Sequence, residues 1–186
     1  MTAAARHAPA QPPSATTIRR LGPNEAAASV GALADVLIDC VHGGASVSFM
    51  APLPRDKALA FWRGVADGVA RNERVLLVAE DASGAIVGTV QLITAMPDNQ
   101  PHRADVAKML VHRCARRQGV AQQLMAAVDD AARAEHKTVL VLDTVTGGDA
   151  ERLYERAGWQ RVGVVPDYAL MPDGALCGTT FFCKRV

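Results

Sequence analysis

No run of apolar residues in this chain is long enough to cross a bilayer. The longest, at 75–79 and 139–142, fall far short of the roughly 20 residues that a spanning helix needs. Nor is there an excess of charge of either sign. Lys and Arg number 20 against 19 Asp and Glu, a formal net charge of +1. That balance gives neither a nucleic acid nor an anionic membrane surface a reason to bind. The cysteines, Cys40, Cys114, Cys177 and Cys183, include no pair at zinc or redox-motif spacing. They read as reduced thiols of a cytoplasmic protein, and no metal centre is expected. There is no internal repeat and no linker that would divide the chain. Residues 1–16, rich in Ala and Pro, lack the continuous apolar core of a signal peptide and read as a disordered tail or a start-site artefact. The remainder, 17–186, is of a length to form one domain with a sizeable core.

Hydrophobic patterning orders that domain. Residues 16–21 suit a first strand, closed by Gly22-Pro23, and Pro23 suits the first turn of a helix. Val30, Leu33, Leu37 and Val41 then form one apolar stripe that stops at His42-Gly43-Gly44. Residues 42–54 are a loop, apolar at Val47, Phe49 and Met50. A second helix begins at Arg55, with Leu59, Trp62, Val65 and Val69 on one side. Strands at 75–80 and 85–94 flank the turn residues Asp81-Ala82-Ser83-Gly84. A fourth strand covers 103–112, a third helix 118–135, and a buried fifth strand 138–144. Asp149 is a fitting N-cap for the next short helix, and Gly158 a fitting residue past its end. Strands at 159–165 and 179–184, separated by a polar loop with Pro166, Pro172 and Gly174, complete the pattern.

The stretch 105–121 is the one on which the others converge. A mostly apolar strand runs through a basic loop, Arg116-Arg117-Gln118-Gly119, into a helix whose apolar face is Val120, Leu124, Ala127, Val128 and Ala131. The first peptide N–H groups of a helix have no partner within it, and the helix dipole makes that end positive. Gly119 adds no side chain that would hold a ligand away. Such a turn, with arginines beside it, is a place for a phosphate or pyrophosphate.

Arg116-Arg117-Gln118-Gly119-Val120-Ala121 resembles the Arg/Gln-x-x-Gly-x-Gly/Ala loop of the GNAT acetyltransferases. Residues 149–159, with Leu153-Tyr154 and Gly158-Trp159, resemble the later Ala-x-x-Leu-Tyr-x-x-x-Gly-Phe motif of that superfamily. The resemblance covers roughly residues 17–186, and its two motifs lie in the family's order and spacing. It implies an α/β GNAT fold: a mixed central sheet of about seven strands, splayed in the middle and flanked by about four helices. It also implies acetyl-CoA as cosubstrate. Met109, Leu110 and Val111 would pair with pantetheine as an added strand, and the Val111 N–H would bond the thioester carbonyl. Arg116, Arg117, Gln118, Gly119, Val120 and Ala121 would hold the diphosphate. Two positions depart from the pattern: Gly147-Gly148-Asp149 replaces the usual Asn before the tyrosine helix, leaving Asp149 as the CoA contact there, and Ala121 replaces a Gly.

Acetyl transfer to an amine needs a neutral amine, a polarised carbonyl and a proton for the leaving thiolate. A lysine-like amine is neutral only about once in 2,500 molecules at pH 7, a deficit of about 4.6 kcal/mol. Asp105 and Asp143 are the candidate bases; each could instead cap a strand end or bind the acceptor's ammonium. Tyr154 is the expected proton donor to the thiolate, against the alternative of a packed aromatic. Arg113, Arg116 and Arg117 fit CoA phosphates better than a nucleic acid. Cys114 has no base recognisable beside it in sequence and reads as a bystander.

Residues 41–50, Val-His-Gly-Gly-Ala-Ser-Val-Ser-Phe-Met, together with 105–108, 142–144 and 166–174, are similar to the tabtoxin-resistance branch of that superfamily. The resemblance implies a small-molecule amine acceptor, such as a β-lactam amino-acid toxin, with His42, Ser46 and Phe49 in its pocket; His42 could equally cap the first helix. The alternatives are a non-catalytic CoA-binding sensor and a protein N-acetyltransferase. No nucleic-acid or membrane partner is expected, and a homodimer is the assembly to test.

Overall fold

A computed structural model describes residues 16–186; residues 1–15 lie outside the described part. The elements run β1 (Thr17–Arg20), α1 (Pro23–Ala28), α2 (Val30–His42), α3 (Arg55–Ala70), β2 (Arg74–Glu80), β3 (Ile86–Ile93), β4 (Arg103–Val111), α4 (Val120–Ala134), β5 (Val139–Val145), α5 (Asp149–Arg156), β6 (Gln160–Leu170) and β7 (Leu176–Arg185). The strands form one seven-stranded sheet in the order β1-β2-β3-β4-β5-β7-β6. Every neighbouring pair is antiparallel except β4 and β5.

Each face of the sheet carries its own core. α1, α2 and α3 pack with Leu76, Val78 and Leu110 around the buried Trp62. On the other face α4 and α5 pack with Val75, Leu77, Ala79, Leu140, Leu142 and Phe182. This explains the unbroken apolar run in β2: successive side chains alternate between two dry faces.

Two irregularities shape the middle of the sheet. The parallel pair β4 and β5 is in register only at Arg103–Val139, Ala104–Leu140 and Asp105–Val141. Beyond these pairs the strands part, because β5 stays with β7 along its whole length while β4 follows β3. Within β4, Lys108 and Met109 stand opposite the single residue Val90, and Lys108 is left-handed, with φ of 52°. This bulge reverses the alternation. Val106 faces the core of α4, whereas Leu110 enters the core of α1 to α3.

Three expectations are corrected. The first helix is not continuous but breaks at Ser29 into α1 and α2. The stretch 166–178 is not an open loop but mostly hairpin: β6 continues to Leu170, and the Met171 N–H reaches the Ala175 carbonyl at 2.7 Å. Pro166 is tolerated because it falls in a bulge on an edge strand, where its missing N–H costs no ladder bond. Finally, Gly148, not Asp149, is the N-cap of α5.

Candidate active site

The parting of β4 from β5 leaves a strand edge with peptide groups that no neighbouring strand pairs. The His112 N–H donates to the Val87 carbonyl at 2.8 Å. By the alternation of an antiparallel ladder, the Val111 N–H is therefore turned from β3 toward the gap. The Val111 carbonyl is taken by Arg116 Nε at 3.2 Å and by the Cys40 thiol at 3.5 Å.

Tyr154, Asp143 and Lys108 meet around this gap. The Tyr154 ring is buried on α5, with its centroid 5.9 Å from that of Phe182 and 6.1 Å from that of Trp159. Among the described residues nothing hydrogen-bonds its hydroxyl. That oxygen is not among the fully enclosed polar atoms without a partner, so it is not completely sealed from solvent. Burial, and then the negative charge of Asp143, push the phenol well above its ordinary value. Asp143 projects from β5 as an exposed carboxylate. Lys108, named from the sequence only within the 105–108 resemblance and given no role there, extends from the bulge. Its Nζ lies 3.2 Å from Ser48 Oγ and 5.8 Å from the Phe61 ring centroid. Burial pulls its ammonium below the usual lysine value, while Asp143 acts the other way. Asp105, at the last registered pair, is bound to Arg103.

At the end of β4 the chain enters the turn before α4. Arg117 and Gly119 are both left-handed, with φ of 62° and 79°. The left-handed Gly119 followed by the right-handed first residue of α4 turns successive N–H groups to one side, a concavity suited to anions. Gly119 is the N-cap of α4 and Val120 and Ala121 open the helix, so their N–H groups find no acceptor within it. Gln118 Nε2 donates to the Cys114 carbonyl at 3.0 Å and closes the turn. Among the described residues Arg117 makes no hydrogen bond or ion pair, whereas Arg113 and Arg116 are drawn to Asp39. Asp39, not foreseen from sequence, is the organiser of this corner; its one signal is to be one of two carboxylates on α2, with Asp35, three residues before His42.

The loop 43–54 bridges the gap. Ser48 meets Lys108 on one side, while Ser46 Oγ donates to the Leu170 carbonyl at 2.8 Å and the Ala51 N–H to the Pro172 carbonyl at 3.0 Å on the other. His42 Nε2 accepts the Leu53 N–H at 3.1 Å and ties the loop ends together. Phe49 is buried edge-on against Phe61, with centroids 5.3 Å apart. His42, Ser46 and Phe49 thus shape the loop from within. Asp149, by contrast, is exposed and paired with Arg152, and the Gly147 N–H is held by Glu151 instead.

A central sheet that opens between β4 and β5, with β4 running through a turn into α4, is the arrangement of the GNAT fold. Residues 72–161, just under half of the chain, match the family model described as an acetyltransferase (GNAT) domain. An uncharacterized N-acetyltransferase from the hisH–hisA intergenic region of Azospirillum brasilense is 34% identical over 113 residues, which are 60% of this chain and 65% of that protein. The matched part is thus just under two thirds of the relative's length. Among solved structures, a ribosomal-protein-alanine N-acetyltransferase of Brucella melitensis superposes with a TM-score of 0.77 at 21% identity, covering 91% of this chain and 99% of that one. The Salmonella typhimurium protein yncA, solved with its cofactor acetyl-CoA, superposes with a TM-score of 0.74 at 20% identity, covering 92% and 94%.

Proposed function

We propose that this chain moves an acetyl group from acetyl-CoA to the amine of a small molecule, by direct attack within a ternary complex. One observation carries the reading: an unpaired strand edge at 109–111 runs straight into an anion cradle at 116–121, the outline of a pantetheine arm joined to a diphosphate. The acceptor nitrogen attacks the thioester carbon, and the oxyanion takes a hydrogen bond from the Val111 N–H. The C–S bond breaks, and the thiolate takes the proton of the Tyr154 hydroxyl. The proton lost by the amine goes to a carboxylate, directly or through water. Asp143, free in the gap, is the better candidate; Asp105 is already engaged by Arg103.

A small acceptor suits the loop 43–54, which is tied on both sides of the gap and narrows the approach. The resemblance to tabtoxin-resistance enzymes falls on that loop and on the hairpin it meets, which supports a β-lactam amino acid as acceptor and a cytoplasmic detoxifying role. The test is release of free CoA thiol from acetyl-CoA across a panel of small amines, β-lactam amino acids included. Turnover with a small amine supports the proposal. Turnover only with peptide N-termini would move the acceptor class to proteins, and binding of acetyl-CoA without transfer to any amine would leave a sensor.

A further inference from the structure

Cys114, exposed just after β4, does not stand alone. Its Sγ lies 2.9 Å from Nδ1 of His112, and the same Nδ1 accepts the Cys114 backbone N–H at 3.3 Å. Across the ring, Nε2 faces Asp39 Oδ1 at 3.4 Å. A nitrogen that accepts an N–H presents its lone pair, so the neutral imidazole carries its proton on Nε2, toward Asp39, and leaves Nδ1 as a base for the thiol. Asp39 is itself fixed. Its side chain is only 9% exposed, and it accepts the Arg113 N–H at 2.9 Å as well as the Arg113 guanidinium. Burial pushes its carboxyl up, but the hydrogen bonds from the Arg113 N–H and guanidinium outweigh that and hold it below the usual carboxylate range. Thiol, imidazole and buried carboxylate in this order are the parts of an activated nucleophile.

The thiol also has somewhere to receive a partner. It borders a groove of about 520 Å³ between α2 and the β2–β3 turn, lined among others by Ala32, Val36, Asp81 and Ile86. No other cysteine has such a setting: Cys40 is buried, Cys177 bonds the Ala169 carbonyl, and Cys183 is half-buried.

We propose that Cys114 is a reactive thiol that undergoes exchange with small disulfides entering this groove. The Cys114 proton passes to His112 Nδ1, and the thiolate attacks one sulfur of the disulfide. The S–S bond of the small molecule breaks as the Cys114–S–S–R bond forms. The other half leaves as a thiolate and recovers the proton from His112, so the protein thiol is oxidised and the disulfide reduced. The exchange does not depend on the acetyl-transfer reading.

The test is the rate at which the full chain reacts with dithiobis(nitrobenzoate) at neutral pH, with the labelled site identified by peptide mass. The expected result is one fast phase, mapped to Cys114, at least about tenfold faster than free glutathione under the same conditions. The phase disappears in Cys114→Ser. It slows at least about fivefold in His112→Asn, which keeps an acceptor for the Cys114 N–H but no base. Cys114 reacting no faster than glutathione overturns the proposal without recourse to any variant, and an unchanged rate in a folded His112→Asn overturns the role of the imidazole.

Discussion

Tyr154 combines a buried ring with a hydroxyl that no described residue bonds, and burial first, then the charge of Asp143, keep the phenol protonated. A donor is useful only while it holds its proton, and the shift here is upward. Tyr154 therefore stays in its donor form throughout the neutral range and past the ordinary phenol value of about 10. Tyr154→Phe should lower kcat by roughly 100-fold or more while leaving acetyl-CoA affinity within about twofold. The alkaline limb of kcat/KM below about pH 9 should be the same in both proteins. An unchanged kcat would remove Tyr154 from the role, and an alkaline limb below about pH 9 that vanishes in the variant would contradict the upward shift of its phenol. At this scale the sequence was legible for where a motif residue sits, as for Tyr154 on a short helix and Gly119 at a helix start. It was not legible where meaning comes from partners far along the chain. Nothing local tells that Asp39 meets Arg113, Arg116 and His112.

β4 is the element on which the gap depends, and its pattern concealed the decisive feature. Met109, Leu110 and Val111 read as the end of an uninterrupted strand. The bulge at Lys108 is set by a shift of register against β3, which no spacing within β4 reveals. The long apolar signals of α2, α3 and α4 were readable because each covers one face of the sheet. The extent of β6 was hidden because Pro166 and Gly174 resemble loop punctuation, although on an edge strand and in a tight turn they interrupt little. Gly88 on β3 sets how closely α4 can lie against this part of the sheet. A Cβ there would come within 3.1 Å of the Leu110 carbonyl oxygen, 3.2 Å of Val120 Cγ1 and 3.2 Å of Leu124 Cδ1. Gly88→Ala should therefore cost about 1–3 kcal/mol, seen as a lower urea midpoint. An unchanged midpoint would mean that α4 can move off the sheet at no cost.

Over the whole molecule, two cores clamp one sheet from opposite sides and leave the sheet free to open only where β4 changes partner. Among the described residues no helix is long and apolar enough to cross a membrane. The central claim is spatial: acetyl-CoA lies in the gap between β4 and β5 with its diphosphate on the turn before α4. Amide hydrogen exchange with and without acetyl-CoA tests it most directly. The account predicts that slowing on binding is concentrated at residues 109–111 and 116–121. Slowing confined to another face of the sheet, or no change at any amide with ligand in excess, would contradict it.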